Sequence, residues 1–307
     1  MPTKEFSVRE GARGFAARPF IVCLKEADRL RCKTAECCVK ASEMFRFSRG
    51  GGFFPARLDK CGFVVYDYII GRGASRRGSA FHLQKGWIMK KIKIAPSILA
   101  ADFSKMGEEV ERLERCGADL IHCDVMDGTF VPTITFGMHM IEAVRRHTSL
   151  PLDVHIMCVR PLNKVSDIVN AGADIVTVHA EACGDALKDT LRFIRSYGIR
   201  AGVAISPDTP FAAVAEYAEL FDMLLVMSVY PGRGGQKLIE RTLAKAEEAR
   251  NFFEKTGLER DIEMDGGITE ENVASVKAAG VNVIVAGSTV FHAPDMAKTI
   301  QNLRDIR

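Results

Sequence analysis

Eight short apolar runs, rich in β-branched residues, recur through the carboxyl-terminal two-thirds of this 307-residue chain. They lie at 92–98, 120–126, 152–157, 174–179, 201–205, 223–228, 262–265 and 282–286. Segments with helical periodicity separate them, such as Phe103 to Cys116 and Ile239 to Lys255. Continuously apolar strands are typical of a parallel sheet that is covered on its outer face. Eight strands alternating with helices predict a (β/α)8 TIM barrel, with residues 89–307 as its domain.

An open, doubly wound sheet is the alternative fold that the same alternation allows. Polar residues follow nearly every one of the eight runs. Such residues surround a single mouth in a barrel, because all its parallel strands end on the same side. This distribution favours the barrel.

Residues 1–88 have a different character from the rest of the chain. They carry 17 Lys and Arg against 8 Asp and Glu, whereas the remaining residues carry 25 against 31. Their apolar residues keep neither period for long, and 50–52 and 71–78 are glycine-rich. We predict an irregular, basic amino-terminal extension, either disordered or the product of a gene start placed upstream of Met89. A nucleic-acid-binding arm and a transit peptide are weaker alternatives, because no binding module is visible and acidic residues are frequent.

The nine cysteines form no C-x-x-C pair and no zinc-type spacing. An odd number of cysteines, without a secretory leader, predicts a reducing compartment and therefore a cytoplasmic location. The apolar runs are far shorter than the ~20 residues of a membrane-spanning helix. Neither a membrane nor a nucleic acid is expected as a partner.

Two histidines and two aspartates occupy matching positions near the ends of three predicted strands. His122 and Asp124 are two residues apart and therefore share one face of a strand. His155 lies on the next strand, and Asp265 ends the seventh. A single histidine or aspartate in an apolar strand is more often a core or capping residue, but four in register favour a ligand set. Two nitrogens and two carboxylate oxygens suit zinc, iron, manganese or cobalt, so we predict one divalent metal ion per subunit.

Three methionines lie at or near the same strand ends: Met126, Met157 and Met227. Methionine in such positions is most often core filler. Beside a metal it can also line the site and exclude water.

Glycine-rich turns follow the sixth, seventh and eighth predicted strands. Glycine lets backbone N–H groups approach an anion closely, and the loops after strands 7 and 8 of such barrels commonly bind phosphate. Any one of these turns is weak evidence, but three after consecutive strands predict a phosphate cradle. Its residues are Gly232, Arg233, Gly234, Gly235, Gly266, Gly267, Gly287 and Ser288.

From Ala95 to about His292 the chain resembles the ribulose-phosphate 3-epimerases. The matching segments are APSILAADF (95–103), HCDVMDGTFVP (122–132), DVHIM (153–157), HAEA (179–182), GVAISPDTP (202–210), LLVMSVYPGRGGQ (224–236), DGGI (265–268) and VAGSTVF (285–291). HCDVMDG, PGRGGQ and DGGI in this order are highly specific. The family fold is a (β/α)8 barrel, in agreement with the strand count made without the resemblance.

The resemblance implies roles for individual residues. His122, Asp124, His155 and Asp265 would ligate the metal, and Asp124 and Asp265 would be the catalytic acid–base pair. Ser97 and His155 would contact the sugar. The glycine-rich turns would hold its phosphate, and a homo-oligomer is expected from the same resemblance.

The reaction implied by the resemblance is the interconversion of D-ribulose 5-phosphate and D-xylulose 5-phosphate in the pentose phosphate pathway. An alternative is 3-epimerisation of a related ketose phosphate, such as allulose 6-phosphate. A Schiff-base isomerase or aldolase on the same barrel is disfavoured, because no lysine lies in the strand-end motifs.

The chain departs from the family pattern in the loop after the sixth strand. Tyr230 and Arg233 stand where the family usually has Asn and Phe, and Met264 replaces a usual Val. The glycines of the loop are intact, so phosphate binding is expected to persist. Arg233 is expected either to reach the phosphate as a charge-assisted donor or to face solvent.

Overall fold

The computed structural model describes residues 90–306, so the predicted extension over residues 1–88 lies outside the described residues. Eight strands are present: β1 (Lys93–Ala95), β2 (Ile121–Met126), β3 (Leu152–Met157), β4 (Ile175–His179), β5 (Arg200–Ile205), β6 (Met223–Met227), β7 (Asp261–Asp265) and β8 (Val283–Val285). Their bounds lie within one residue of the predicted runs, except that β1 ends three residues early. Pro96 has no N–H to continue a ladder, and Ser97 caps a short 3₁₀ turn.

The strands form one parallel sheet in the order β1-β8-β7-β6-β5-β4-β3-β2. The two ends of this sheet meet, because the His122 N–H donates to the Pro96 carbonyl at 3.0 Å and Ser97 forms a parallel bridge with His122. The sheet is therefore a closed barrel of sequential strands. The (β/α)8 prediction is confirmed, and the doubly wound alternative is wrong.

Helices surround the barrel between Lys90 and Ile306. They are α1 (Met106–Arg115), α2 (Met138–Arg145), α3 (Leu162–Asn170), α4 (Ala180–Cys183), α5 (Leu187–Ser196), α6 (Ala212–Ala215), α7 (Leu243–Thr256), α8 (Val273–Ala278), α9 (Ser288–Phe291) and α10 (Met296–Asp305). Within this part of the chain, no helix combines the length and the apolar character needed to cross a membrane.

Helix α1 illustrates how the sequence positions these helices. Its buried residues Met106, Val110 and Leu113 recur at helical spacing and pack against the barrel. Glu109 lies in its first turn and Arg115 in its last, so both charges complement the helix dipole. The two predicted helical segments that we named are confirmed, and each begins with a 3₁₀ turn.

The interior of the barrel contains one apolar cluster and a group of buried polar side chains. The apolar cluster consists of Ala95, Leu120, Ile175, Met223, Val283 and Val285. The buried polar side chains include His122, Asp153, His155 and Glu263, all 0% exposed. The protein around these polar groups therefore excludes water from them.

The amino-terminal face of the barrel carries an ion cluster around Asp261. Its carboxylate accepts from Lys93 at 2.8 Å, Arg200 at 2.6 Å and Asn282 at 2.9 Å. Burial would raise the pKa of Asp261, but the bonds from Lys93 and Asn282 hold it well below its usual value. This cluster joins β1, β5 and β7, as expected for a face that contributes stability.

Candidate active site and metal centre

Three strands of the barrel bring the two predicted histidines and the two predicted aspartates together in its interior. Asp124 of β2 is paired with His155 of β3, and Met227 of β6 is paired with Asp265 of β7. His122 lies two residues before Asp124, so its side chain also faces the interior. The alternation of strand side chains thus directs all four residues towards one space.

These four residues form a compact cluster. Each offers one ligand atom, and these atoms all lie within 4.8 Å of one another. Oδ1 of Asp124 is 3.3 Å from Nε2 of His122 and 3.1 Å from Nδ1 of His155. Both histidines are fully buried, and Asp124 is 3% exposed. The predicted ligand set is therefore brought together inside the mouth.

The hydrogen bonds of His122 test whether these residues fit a metal ion. Its Nδ1 lies 2.6 Å from Oδ2 of Asp153, so Nδ1 carries the proton and donates it. Its Nε2 is buried and has no hydrogen-bond partner among the described residues. A histidine held by a carboxylate on one nitrogen, with a free lone pair on the other, is typical of metal ligands. The donor set thus fits a divalent cation.

The electrostatics of the cluster favour a positive charge at its centre. Burial opposes charge on His122, yet the carboxylates of Asp124 and Asp153 hold its pKa well above the usual value. Burial alone would raise the pKa of Asp124, but the positive charge of His122 holds it well below the usual value. A cation placed between these groups would replace the proton that they attract.

The pKa values of Asp124 and Asp265 are shifted in opposite directions. Burial raises the pKa of Asp265 to about 7, and the negative charge of Asp124 adds to this effect. Asp124 is therefore ionised at neutral pH while a large fraction of Asp265 is protonated. Two carboxyl groups whose environments separate their pKa values are suited to opposite roles in proton transfer.

Ser97 and the three methionines lie around this cluster. The Ser97 hydroxyl donates to Oδ2 of Asp124 at 2.7 Å, so it orients the carboxylate. Met126 and Met157 are paired across β2 and β3, one inward position nearer the mouth than Asp124 and His155. They form a buried cluster with Val131, and Met227 packs in a second cluster with neighbouring strands. The methionines thus form apolar walls where the strands end.

The loop after β6 is shaped by its own hydrogen bonds. The Gln236 side chain donates to the carbonyls of Tyr230 at 2.8 Å and Arg233 at 2.9 Å. A Cβ added at Gly234 or Gly235 would meet nothing within 4 Å, so their backbone faces open space. Arg233 is exposed, and no side-chain hydrogen bond fixes it within the described residues.

The remaining glycine turns adjoin this loop and the loop after β1. Gly267 has φ +66°, and a Cβ there would collide with backbone atoms of Leu238 and Gln236. The turn after β7 therefore packs directly against the loop after β6. Gly287 lies beside Ala100 in the loop after β1, and Ser288 begins α9. Gly232 and Gly266 also have positive φ, at +107° and +121°, and lie against valine side chains.

Four polar residues that the sequence analysis did not assign also belong to this region: Asp153, Glu263, His179 and Glu181. Asp153 and Glu263 are fully buried beneath the cluster, each two residues before a predicted ligand. Burial and the charge of Asp153 raise the pKa of Glu263 well above its usual value, so it is protonated and able to donate to Asp153. The same two-residue alternation that identified His122 and Asp124 could have found both.

The other two unassigned residues extend the site along β4. His179 ends β4 and is fully buried, with its ring stacked on that of His155 at 5.0 Å. Its Nδ1 lies 3.1 Å from a carboxylate oxygen of Glu181. No periodicity signals this contact, because it links a strand end to the turn that follows it.

Comparison with known proteins identifies the family. A sequence model of the ribulose-phosphate 3 epimerase family matches residues 93–291. The chain is 46% identical over 214 residues to the chloroplastic ribulose-5-phosphate-3-epimerase of Arabidopsis thaliana, covering 69% of this chain and 76% of that one. It is 46% identical over 215 residues to ribulose-phosphate 3-epimerase of Bacillus subtilis (strain 168), covering 69% and 98%.

Solved structures support the fold independently. A mutant tryptophan synthase α-subunit from Pyrococcus furiosus matches with a TM-score of 0.54 at 15% identity, covering 71% of this chain and 99% of that one. This likeness concerns the barrel alone. The segment matched by the family model, by contrast, contains all four residues of the cluster and all three glycine turns, so the chain belongs to the ribulose-phosphate 3-epimerase family.

Proposed function

We propose that the barrel interconverts D-ribulose 5-phosphate and D-xylulose 5-phosphate by proton transfer at C3 between Asp124 and Asp265, with one divalent metal ion bound. Family membership makes the chain a carbohydrate epimerase. The observation that carries the assignment of residues is the pair of carboxyl groups in one buried cluster, with pKa values shifted in opposite directions.

The reaction requires two groups on opposite sides of one carbon. The C3 proton is acidic because C3 adjoins the C2 ketone, and its removal leaves an enediolate. Inversion needs a base that takes the proton from one face and an acid that returns one to the other. Asp124 starts ionised and acts as the base, and Asp265 starts protonated and acts as the acid. The reverse reaction exchanges these roles.

The cluster supplies the charge that this chemistry needs. A divalent metal ion, when bound, provides positive charge next to the enediolate oxygens. His122, Asp124, His155 and Asp265 would hold it, and their two nitrogens and two carboxylates suit zinc, iron, manganese or cobalt. Ser97 keeps Asp124 oriented through its 2.7 Å hydrogen bond. The methionine walls and the apolar cluster of the barrel interior would exclude water from the reacting carbon.

The substrate would enter with its phosphate at the glycine turns. Backbone N–H groups near Gly234, Gly235, Gly267 and Ser288 are suited to bind a dianion. Ser97 and His155 would contact the hydroxyl groups of the sugar. The exposed Arg233 is free to add a charge-assisted bond to the phosphate.

Proton NMR of ribulose 5-phosphate in heavy water tests this proposal. The metal-loaded full chain is expected to introduce deuterium at C3 while xylulose 5-phosphate appears. D124N and D265N are each expected to lose at least about 100-fold in rate, because each removes one proton-transfer group. D189N, on the exposed face of α5, is the matched control and should remain fully active. Normal turnover by D265N would refute the two-base scheme.

The same assay separates the remaining assignments. A chain that begins at Met89 is expected to retain activity, since every residue of the cluster lies beyond it. A higher kcat/KM for allulose 6-phosphate than for ribulose 5-phosphate would reassign the substrate. A location in the cytoplasm is tested by fractionation of the source cells.

We also propose a homo-oligomer. Phe103, Ile134 and Val159 are large apolar side chains in the loops after β1, β2 and β3, and Ile134 is 77% exposed. Apolar side chains left exposed in adjacent loops support an interface between copies of the chain. Sedimentation velocity is expected to give a mass above that of one chain, and I134D is expected to lower it.

A further inference from the structure

A row of ring nitrogens leads from the proposed metal centre to the rim of the barrel. Oδ1 of Asp124 lies 3.1 Å from Nδ1 of His155, and Nε2 of His155 lies 2.9 Å from Nε2 of His179. Nδ1 of His179 lies 3.1 Å from Oε2 of Glu181. The row therefore contains three contacts of hydrogen-bond length, with a carboxylate at each end.

The number of protons available to this row is smaller than the number of contacts. Both imidazole rings are 0% exposed, and a neutral imidazole ring carries one proton, on either Nδ1 or Nε2. Carboxylates only accept hydrogen bonds. Two protons can complete two of the three contacts. The third contact brings two lone pairs together unless a cation lies there.

The Glu181 end of the row is fixed by donors from the next loop. Oε1 of Glu181 accepts the backbone N–H of Ser206 at 2.8 Å and the hydroxyl of Thr209. Burial would raise the pKa of Glu181, but its hydrogen bonds lower it to about 2. Glu181 is therefore an ionised acceptor, and it requires a proton on Nδ1 of His179.

A proton on Nδ1 of His179 determines where the other proton of the row lies. If Nδ1 of His179 carries the proton, its Nε2 must accept, so Nε2 of His155 must donate. Nδ1 of His155 is then left with a lone pair, and this atom lies 3.1 Å from Oδ1 of Asp124, another member of the ligand cluster. The contact without a proton is thus the one at which the proposed cation would sit.

We propose that Glu181 and His179 are positioning residues that fix the tautomer of His155, with Nε2 protonated and Nδ1 free to bind the metal. This inference rests on the metal centre proposed above. It also makes the two ligand histidines differ, because His122 would bind through Nε2 and His155 through Nδ1. A carboxylate that orients a ligand histidine is a known means of tuning metal sites, and here a second imidazole transmits the effect.

The amide variant E181Q separates this role from simple packing. The Ser206 N–H can only donate, so the amide oxygen of Gln must take the position of Oε1. Its NH2 group then faces Nδ1 of His179, which must accept. The proton of each ring then moves to the other ring nitrogen, so Nδ1 of His155 carries the proton. An alanine at 181 removes the acceptor without imposing the reversal.

The expected order of metal affinities is therefore unusual. E181Q, although isosteric, is expected to bind zinc about 10–100-fold more weakly than the unmodified chain. E181A is expected to lose less than E181Q, because His179 remains free to choose its tautomer. If Glu181 only packs against its neighbours, the isosteric E181Q would instead be the milder change. E247Q, on the exposed face of α7, is the matched control and should not alter affinity.

The test uses the zinc-loaded full chain with 15N-labelled histidine. Long-range 1H–15N correlation is expected to show the proton of His155 on Nε2 and that of His179 on Nδ1. Chelator competition gives the affinities of E181Q, E181A and E247Q. A proton on Nδ1 of His155 in the unmodified chain, or an E181Q that binds zinc no more weakly than E181A, would overturn the proposal.

A separate variant keeps the two proposals distinguishable. H122A removes a proposed ligand that lies outside the row, so it should abolish tight zinc binding. If H122A keeps full affinity, the metal centre is misassigned. In that case the tautomers of His155 and His179 still test the proposed proton positions along the row, because the NMR spectrum shows directly which nitrogen of each ring is protonated.

Discussion

Replacing Asp265 by asparagine is expected to stabilise the metal-free protein while it abolishes epimerisation. In the folded chain, burial and the charge of Asp124 raise the pKa of Asp265 from 3.8 to about 7. In the unfolded chain the carboxyl group returns to its ordinary pKa. Folding at neutral pH therefore has to protonate this group or bury its charge, and asparagine avoids both costs.

The magnitude follows from the difference between the two pKa values. Each pKa unit corresponds to about 1.4 kcal/mol, so the difference between 3.8 and about 7 gives about 4 kcal/mol. Asp265 is partly exposed at the mouth, and solvent screening reduces this figure. We expect D265N to gain about 2–4 kcal/mol in free energy of unfolding at pH 8.

The sign of the pH dependence is fixed by the same argument. Between pH 4 and pH 7 the unfolded chain has lost this proton and the folded chain keeps it. The stability of the unmodified chain therefore falls as pH rises through this window. D265N lacks the effect, so its advantage is expected to be small at pH 5, to grow with pH and to level off above pH 7.

Urea unfolding of chelator-treated full-length protein, measured from pH 5 to pH 8, tests this expectation. D124N provides a contrast of opposite sign, because the pKa of Asp124 is held well below its usual value and its ionised form stabilises the fold. D189N controls for the loss of one surface charge. A D265N variant no more stable than the unmodified chain at pH 8, or a gain that does not change with pH, would refute the reasoning.

Three further changes test other parts of the site. D153N removes the negative charge of the group that accepts the buried Nδ1–H of the adjacent ligand histidine, and is expected to weaken zinc binding about 10–100-fold in chelator competition. G267A forces a Cβ into the backbone of Leu238 and is expected to raise KM for the sugar phosphate at least about 10-fold. G257A is its control: it lies at a helix end with open space around it and should leave KM unchanged. R233A is expected to raise KM a few-fold at low salt and to reduce the salt dependence of kcat/KM, both measured by steady-state kinetics.

The fold could be predicted from the sequence because its main signal is local. Continuous apolar runs and helical periodicity each depend on neighbours along the chain, and seven of the eight strands lie within one residue of prediction. The exception, β1, ends where Pro96 removes a ladder donor and Ser97 starts a turn. The pattern of apolar residues does not show the loss of this backbone N–H, although Pro96 itself is visible in the sequence.

The central residues of the site could be predicted from the sequence for the same reason. His122 and Asp124 share a face by alternation, and the register of β2 and β3 brings His155 beside them. Asp265 reaches the cluster across the interior, which depends on the tilt and closure of the barrel and not on local sequence. Its placement in the sequence analysis relied on the common mouth of parallel strands and on the resemblance.

The supporting residues were harder to identify because their roles arise only in three dimensions. The contact between His155 and His179 depends on the rotamers of two rings on adjacent strands. Glu181 is fixed by donors more than 20 residues away in the chain. The raised pKa of Glu263 comes from burial and from the charge of Asp153, which lies on β3 across the barrel interior from β7. Strand alternation could have placed Asp153 and Glu263 on the inner face, but the contacts of these supporting residues leave no spacing in the sequence.

The surroundings of the proposed site suit both cation binding and proton transfer. The apolar cluster of the barrel interior and the methionine walls at the strand ends exclude water, so charges in the site interact strongly with one another. In the proposed site, Asp153 and Glu181 would each fix one proton of a histidine, and would thereby leave one lone pair of each ligand ring for the metal. The same exclusion of water raises the pKa of Asp265, which destabilises the metal-free fold but provides an acid at neutral pH. If Asp265 is the catalytic acid, stability and activity oppose each other at this carboxyl group, and a bound metal ion would relieve the conflict by adding positive charge beside the carboxylates.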